Sequence, residues 1–476
     1  MRTALVLLVI AALGRWPTAT EPPAEKQVMT RHWTSRDQQT NRYQYVAFDV
    51  APGTTRVTVS YRYDRADGNN VVDFGLFEPG PLALRSPAFR GWSGGARDRV
   101  TIAADHATPG YWPGSLPAGR WHAILGLYKV ADTGVDVEVV VETWTGRTPP
   151  ASQPPARRPN GTIRRGAAWY AGALHTHTVH SDGALTPQQL ADKAVEEGLD
   201  FLAITDHNNT THQLDRVHAP DLLLISGQEV TTPGGHFGVW GLEGERTYVD
   251  FRIPSGSADL RTVMGATRAL GAVIAINHPI DDCLACSWTH PVPPEVGAIE
   301  IANGDHAARQ QAMTLWDALL REGRRLTAVG ESDYHRGPAP LGTPSVRVWA
   351  QELSSSAILR SLAAGHVVVM ANGSLRAPEL TVRAGQVQAR VGDELRVKHG
   401  EPLQVRVDAA ALDYHGGRVE LYWNGEQVAS ATLPNNGRVE FERYPTTAGY
   451  LRIHLLGAGG QPMAITNPVF VEIAVR

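Results

Sequence analysis

Three rhythms of apolar and polar residues follow one another along the chain. From about Tyr43 to Trp144 the two classes alternate, as in Thr55-Arg56-Val57-Thr58-Val59-Ser60-Tyr61-Arg62-Tyr63 and Val135-Asp136-Val137-Glu138-Val139-Val140-Val141, with Gly and Pro between the runs. Alternation gives each strand one inner and one outer face, so residues 30–146 are expected to form an antiparallel β-sandwich. Residues 147–166 carry Pro149, Pro150, Pro154, Pro155 and Pro159 among small and basic residues, which is the composition of a linker.

The rhythm changes at Trp169. Apolar runs of strand length (Ala171 to Leu174, Phe201 to Ile204, Leu222 to Ile225, Ala272 to Ile276, Ala298 to Ile301, Leu326 to Val329) alternate with helical patterns. Thr186 as N-cap, Pro187 at the first position, Gln189 completing a capping box and Gly198 as a stop predict the first helix, with Leu190, Ala194 and Val195 on its inner face. Repeated strand–helix units over residues 167–374 predict a parallel sheet closed, or nearly closed, into a barrel. From Pro378 the alternation returns in Leu403-Gln404-Val405-Arg406-Val407 and Arg418-Val419-Glu420-Leu421-Tyr422-Trp423, with a hairpin turn at Asn424-Gly425. Residues 375–476 therefore read as an immunoglobulin-like β-sandwich. The expected fold class is multidomain, a central barrel flanked by two β domains.

Composition narrows the function. A chain of 476 residues is too long for one ordinary core. Its formal net charge of -4, with arginine scattered, gives no nucleic-acid footprint, which would show as a clustered basic surface. Residues 1–20 read as a signal peptide: Arg2 supplies the positive end, and the apolar stretch Ala4 to Leu13 is too short to span a bilayer. Thr18-Ala19-Thr20 only approximates a cleavage site, so an uncleaved anchor is the alternative to export. The two cysteines, Cys283 and Cys286, are expected in an exported protein to form a small disulfide after Asn277-His278-Pro279.

Candidate chemistry lies at the ends of the central apolar runs. There stand His175-Thr176-His177, Ser181-Asp182-Gly183, Thr205-Asp206-His207, Gly227-Gln228-Glu229, Gly235-His236, Asn277-His278-Pro279 and Ser332-Asp333-Tyr334-His335. Imidazole and carboxylate groups hold zinc, manganese or iron, and strand ends are where barrels gather distant residues around one pocket. Two residues at i and i+2 on a strand share a face, which His175 and His177 do, and Asp333 and His335 repeat the spacing. Without a metal, such polar groups would be buried at about 2 to 7 kcal/mol each. His122, His212, His218 and His306 carry no such pattern and are read as ordinary histidines.

These motifs, His175-x-His177, Ser181-Asp182-Gly183, Thr205-Asp206-His207 and Asp333-x-His335, resemble in kind and order those of the PHP domain, the polymerase and histidinol phosphatase family of metallohydrolases. Gly227-Gln228-Glu229 followed by Gly234-Gly235-His236 resembles the CehA/McbA-like branch. The resemblance covers about residues 168–372 and implies a distorted (β/α)7 barrel holding two or three divalent metal ions (Zn, Mn or Fe). It implies His175, His177, Glu229 and Asp333 on a first metal, Glu229 as bridge with His236 and His278 on a second, and Asp182, His207 and His335 on a third. His180 competes with Asp182, but its parity from His177 sets it off the shared face. Asp206 is expected to orient a ligand rather than bind metal. Glu229, Asp333 and His335 would serve catalysis, and Arg336 would reach a substrate anion by paired hydrogen bonds. Asn303 would line the rim or turn the chain.

The implied activity is hydrolysis of a small-molecule ester. A phosphoester attacked by hydroxide shared between two metals is the leading reading, and a carbamate or carboxylic ester of CehA/McbA type is the alternative. Loops 243–258 and 280–294 would shape the leaving-group pocket. A reading from another class is a non-catalytic protein binding carbohydrate or a surface through Trp92, Tyr111 and Trp112. Gly91-Trp92-Ser93-Gly94-Gly95 fits a nucleophile elbow by letter, but it lies among alternating strands and reads as a glycine-rich loop. No oligomeric state follows from the sequence.

Overall fold

The computed structural model describes residues 23–147, 161–244, 246–281, 285–303, 306–412 and 416–474. The expected signal peptide, residues 148–160 of the linker and Cys283 lie outside the described residues. Alternation in the N-terminal region becomes β1 (Glu25–Trp33), β2 (Tyr43–Val50), β3 (Thr54–Tyr63), β4 (Val71–Phe77), β5 (Phe89–Gly94), β6 (Arg99–Ala103), β7 (Gly119–Lys129) and β8 (Val135–Thr145), with α1 (Ser35–Thr40) after β1. They form two four-stranded sheets, ordered β1-β8-β3-β6 and β2-β7-β4-β5. One core fills the space between them: Val57, Val59, Val137 and Val139 from the first sheet meet Phe48, Phe74, Trp121 and Leu125 from the second. β1 has no apolar alternation of its own, and its backbone is held by β8 from Glu25 opposite Thr143 to Trp33 opposite Val135.

The second sheet is apolar on both faces. Phe77, Phe89, Trp92 and Ile124 join a larger core with Phe237, Tyr248, Phe251 and Ile253 of the central region. The Trp92 ring lies 4.6 Å from Phe251 and 6.2 Å from Tyr43, centroid to centroid. The N-terminal sheets are thus fastened to the central region by aromatic packing.

The central region runs β9 (Arg164–Ala173), α2 (Pro187–Glu196), β10 (Phe201–Ile204), β11 (Leu223–Thr232), β12 (Gly235–Trp240), α3 (Asp259–Arg268), β13 (Val273–Ile276), β14 (Ala298–Ala302), α4 (His306–Arg321), β15 (Thr327–Gly330), β16 (Ser345–Leu353), α5 (Ser355–Ala364) and β17 (Val367–Met370). These strands form one continuous sheet, β15-β14-β13-β12-β11-β10-β9-β16-β17. Strands β9, β10 and β11 run parallel, as do β13, β14 and β15, whereas β12 pairs antiparallel with both neighbours and β16 antiparallel with β9. The expected strand–helix alternation gives way to this mixed order because β11 and β12 are joined by a tight turn, Thr232 pairing Gly235, which leaves no room for a helix. Gly234 fits there because a Cβ would meet the His290 ring at 2.3 Å. The capping box of α2 forms as expected around Thr186 and Gln189. Val195, however, is 52% exposed, and Ala191 packs inward in its place.

Sheet hydrogen bonding continues past Met370. β17 pairs with the strand at 462–466, Val368 opposite Thr466, and through it with strands at 449–456 and 418–423. A separate four-stranded sheet, from strands at 379–384, 387–390, 403–408 and 438–443, packs on this extension through Leu380, Val382, Val405, Leu421 and Ile453. The C-terminal layers are thereby part of the central sheet.

Trp92→Ala should cost about 3 to 5 kcal/mol, the usual range for removing a fully packed aromatic ring. Urea unfolding of the purified protein measures it, and a loss below about 1 kcal/mol would show that this ring does not fasten the two regions.

Candidate metal centre

Backbone pairing at the strand ends sets the site. Isolated parallel bridges join Thr176 to Tyr334 and His207 to Glu229, just beyond the regular strands. The amide of His177 donates to the Tyr334 carbonyl at 2.9 Å, and that of Glu229 to the Thr205 carbonyl at 3.1 Å. Glu229 and His236 share one face of the β11–β12 hairpin, since Glu229 pairs with Gly238 and Thr231 with His236. His278 and Asp333 have φ of +23° and +49°, a left-handed region that costs a non-glycine residue about 1 to 3 kcal/mol. Such strain persists where the direction of the side chain is over-determined by its surroundings.

Glu229, fully buried, is the hub. Its Oε1 lies 3.2 Å from His175 Nε2, 3.3 Å from His236 Nδ1 and 3.1 Å from His278 Nε2. Its Oε2 lies 3.4 Å from His177 Nε2 and 2.8 Å from His207 Nδ1. Asp333 Oδ1 stands 3.1 Å from His175 Nε2 and 2.9 Å from His177 Nε2. On the outer side, Asp182 Oδ1 is 3.3 Å from His335 Nε2, 3.8 Å from His207 Nε2 and 3.9 Å from His177 Nδ1. All nine residues expected as ligands are therefore drawn into one cluster. Arg336 is exposed at its edge, with Nη2 3.4 Å from the Asp182 carbonyl.

Several donor atoms of the cluster are buried without a hydrogen-bond partner: Asp182 Oδ1, Glu229 Oε2, both ring nitrogens of His236 and Nδ1 of His278. Contacts such as Asp182 to His335 reach ion-pair distance without hydrogen-bond alignment. Atoms that approach closely yet do not donate to one another have their lone pairs aimed at shared points, as metal ligands do. Left so, each would cost about 1 to 3 kcal/mol. Ligand atoms of His175, His177, Glu229 and Asp333 lie within 4.8 Å of one another, as do those of His177, Asp182, His207 and His335 and those of His207, Glu229 and His236. This donor set fits divalent cations, and its mixed nitrogen and oxygen character suits zinc, manganese or iron.

Charge within the cluster points the same way. Burial works against ionised Glu229, but His175, His207 and His236 outweigh it and hold the carboxyl well below the usual carboxylate range. Asp333 is likewise held low, by His175 and His177 against burial. Burial, together with His207 and His335, pushes His177 down to about 4, which leaves it neutral at pH 7, the form that binds metal. Burial opposes a charge on His278, yet Glu229 raises it to about 9. The carboxylates at the centre call for positive charge.

Residues behind the ligands hold the cluster in place, among them Asp206, expected from the sequence to orient a ligand, and Glu300, given no role there. Glu300 accepts from the His278 amide at 2.7 Å, lies 2.7 Å from His175 Nδ1 and receives the Asn303 side-chain amide at 3.0 Å. A glutamate within the wholly buried run Ala298-Ile299-Glu300-Ile301-Ala302 was a readable signal. Asn277 Nδ2 donates to Glu229 Oε1 at 2.9 Å while its Oδ1 accepts from the Gly238 amide. Asp206 accepts from the Thr178 amide, the Thr178 hydroxyl and the Ser181 hydroxyl at 2.7 to 2.8 Å, fixing the turn that carries Asp182. His212, given no role from sequence, backs Asp206 at 3.2 Å. His180 stands outside the cluster, against the Thr211 hydroxyl and the Gly110 amide. Cys286 is disulfide-bonded, so the sulfur beside His236 and His278 is not a thiolate ligand; its expected partner Cys283 lies outside the described residues.

Comparison with known proteins agrees with the motifs. A 65-residue stretch is 57% identical to the 5'-3' exoribonuclease Rnm of Escherichia coli, 12% of this chain and 22% of that protein. Over 182 residues the chain is 26% identical to the error-prone DNA polymerase of Mycobacterium tuberculosis, 38% of this chain and 12% of the polymerase. The chain thus spans under a quarter of the length of the curated relatives it matches. Among solved structures it is similar to a two-domain protein of Bacteroides vulgatus containing a predicted PHP-like metal-dependent phosphoesterase, at TM-score 0.38 and 19% identity over 66% of this chain and 100% of that one. An amidohydrolase from Chromobacterium violaceum matches at TM-score 0.27 and 19% identity over 36% of this chain and 89% of that one. Residues 173–243, which carry six of the nine clustered ligand residues from His175 to His236, match the PHP domain family.

Proposed function

We propose that the protein is an exported metal-dependent hydrolase of PHP type whose substrate is a small phosphoester. The observation that carries this reading is the buried Glu229 carboxylate, within 3.4 Å of ring nitrogens from His175, His177, His207, His236 and His278. His175, His177, Glu229 and Asp333 would hold one ion, His236 and His278 with Glu229 a second, and Asp182, His207 and His335 a third. Divalent ions, when bound, supply Lewis acidity toward water and the attacked centre. The chain's own residues do the rest. Glu229 sets the spacing of the sites, Glu300 fixes the His175 ring, and Asp206 holds the Asp182 turn. Arg336, at the exposed edge, is placed to meet a substrate anion.

The central sheet in this reading is the distorted (β/α)7 barrel of the family, and the paired N- and C-terminal sheets are β-sandwiches. Export is supported by Arg2 with the apolar Ala4 to Leu13 stretch and by the disulfide at Cys286, a bond that persists outside the reducing cytosol. The phosphoester class is favoured over a carbamate because the relatives named above act on nucleic acids by name, and phosphodiesters are their linkage.

The test is to strip the purified protein with a chelator, reload it with zinc, manganese or iron, and assay p-nitrophenyl phosphate, its diester and aryl carbamates. Metal-dependent phosphoester turnover is expected. High carbamate turnover with negligible phosphoester turnover would give the case to the carbamate reading, and a protein that retains no metal and turns over nothing would be a binding protein. Glu229→Gln should lower kcat by roughly a thousandfold, about 4 kcal/mol, and reduce metal content while the fold persists; activity within about tenfold of wild type would remove Glu229 from its central role. Glu300→Gln, acting only through His175 and the His278 amide, should cost about 10- to 100-fold in metal affinity, read by competition with a chromogenic chelator. Unchanged affinity would show that His175 needs no such support.

A further inference from the structure

The second N-terminal sheet ends at the metal centre, and its polar exceptions gather there. Along β4 the side chains of Val72, Phe74 and Leu76 enter the N-terminal core, so Asp73, Gly75 and Phe77 face the central region. Asp73 pairs with Gly126 of β7, which pairs in turn with Tyr43 of β2, a row of three across the sheet. The Trp92 ring covers the glycine of this row: a Cβ at Gly126 would stand 3.1 Å from that ring, 3.2 Å from Asp73 Cβ and 3.5 Å from the Tyr43 ring. Beside it, Gly94 and Gly95 border the carboxyl, a Cβ at either standing at van der Waals distance, 3.8 or 3.6 Å, from Asp73 Oδ1.

This part of the sheet is tied to the ligand-bearing loops. Arg97, just past the two glycines, donates to the Val179 carbonyl at 2.7 Å, in the loop between His177 and Asp182. Asn209, two residues beyond His207, donates to the Trp92 carbonyl at 2.7 Å. The Asp73 side chain is half-buried, and its carboxyl has no hydrogen bond or ion pair to any described residue. Tyr128, on the same face of β7, has a buried hydroxyl that is also without a partner and that feels the charges of Asp73 and Glu229. A half-buried carboxyl and an unpartnered phenol thus lie on the sheet face that is turned to the central region.

We propose that Asp73 is the general acid of this site, contributed by the N-terminal sheet and facing the substrate's leaving group across from the metal ligands. The inference rests on the hydrolytic reading above. In the step, the oxygen of one water forms the new bond to phosphorus while the bond from phosphorus to the leaving oxygen breaks. The bonding pair goes to the leaving oxygen, which takes the proton of the Asp73 carboxyl. The attacking water releases one proton to solvent, and Asp73 is reprotonated from solvent. Burial, aided by Asp182 and opposed by His207 and Arg42, pushes the Asp73 carboxyl up to about 7, near the working range of a general acid.

The test compares leaving groups. Asp73→Asn keeps the size of the side chain and removes the proton, so it should lower kcat on an alkyl phosphodiester by about 10²- to 10⁴-fold. On bis(p-nitrophenyl) phosphate, whose leaving group departs without a proton, the loss should stay within a few-fold. Metal content and thermal midpoint are measured on the same preparations and should match wild type. Equal losses on both substrates, no loss on either, or a fall in metal content would overturn the assignment. If wild type turns over carbamates instead of phosphoesters, the same alkyl-against-aryl comparison is made on carbamates, so the substrate reading can fail while Asp73 is still tested. Wild type inactive on every ester with metal bound would overturn both.

Discussion

The carboxylate of Glu229, buried completely and ringed by five histidines, is the constraint on which the rest of the structure depends. An ionised carboxylate removed from water costs several kcal/mol even after relaxation, and only nearby positive charge offsets that cost. The imidazoles that answer it come from the segments after β9, β10 and β13 and from β12. A flat sheet could not bring those strand ends around one point. The antiparallel hairpin β11–β12 returns His236 to the face that carries Glu229, and the left-handed backbone at His278 and Asp333 re-aims two more side chains. Irregularity in the sheet and strain in the backbone are both set by the need to converge on this one group.

What the sequence made readable followed from short-range pattern. His175-x-His177 and Asp333-x-His335 could be read because period two forces each pair to one side, and α2 because its caps obey local rules. His236 followed from no local rule and came only with the family resemblance of Gly234-Gly235-His236. Glu300 escaped attention although a charge inside a five-residue buried strand has few explanations. Val195 was misplaced because helical periodicity leaves neighbours on the margin of a face undecided, and Ala191 serves as well. The antiparallel pairing of β12 was not readable, since a buried strand's composition does not reveal its direction. The passage of sheet hydrogen bonds from β17 into the C-terminal layers was hidden for the same reason: Val367-Val368-Val369-Met370 is uniformly apolar.

The N-terminal sheet shows where alternation misleads. Period two predicts a polar outer face, yet Phe77, Ile124 and Trp92 turn that face into a second core against Phe237 and Phe251. Sequence registers which residues are apolar but not that two apolar faces of one sheet serve two different cores. The consequence reaches function, because a sheet packed on both sides cannot drift, and its polar residues are held at fixed places over the ligand loops. Arg97 and Asn209 add directional hydrogen bonds to that packing.

One rule sorts the buried carboxylates of the molecule: each needs a partner or a reason. Asp317 is met by Arg452 at 2.6 Å and by the Tyr450 hydroxyl, and it fastens α4 to the C-terminal layers. Asp206 is met by Thr178 and Ser181, and Glu300 by His175 and the His278 amide. Glu331 accepts from the Leu174 amide at 2.6 Å through one oxygen while the other has no hydrogen-bond partner, and burial pushes its carboxyl well above the usual range. Glu229 and Asp182 keep unpartnered oxygens among the clustered histidine rings, the place of ligands. Asp73, only half-buried, belongs with neither the fasteners nor the ligands: it has no partner among the described residues. A carboxyl kept open at this place makes sense only if what completes its hydrogen bonding arrives from outside the chain.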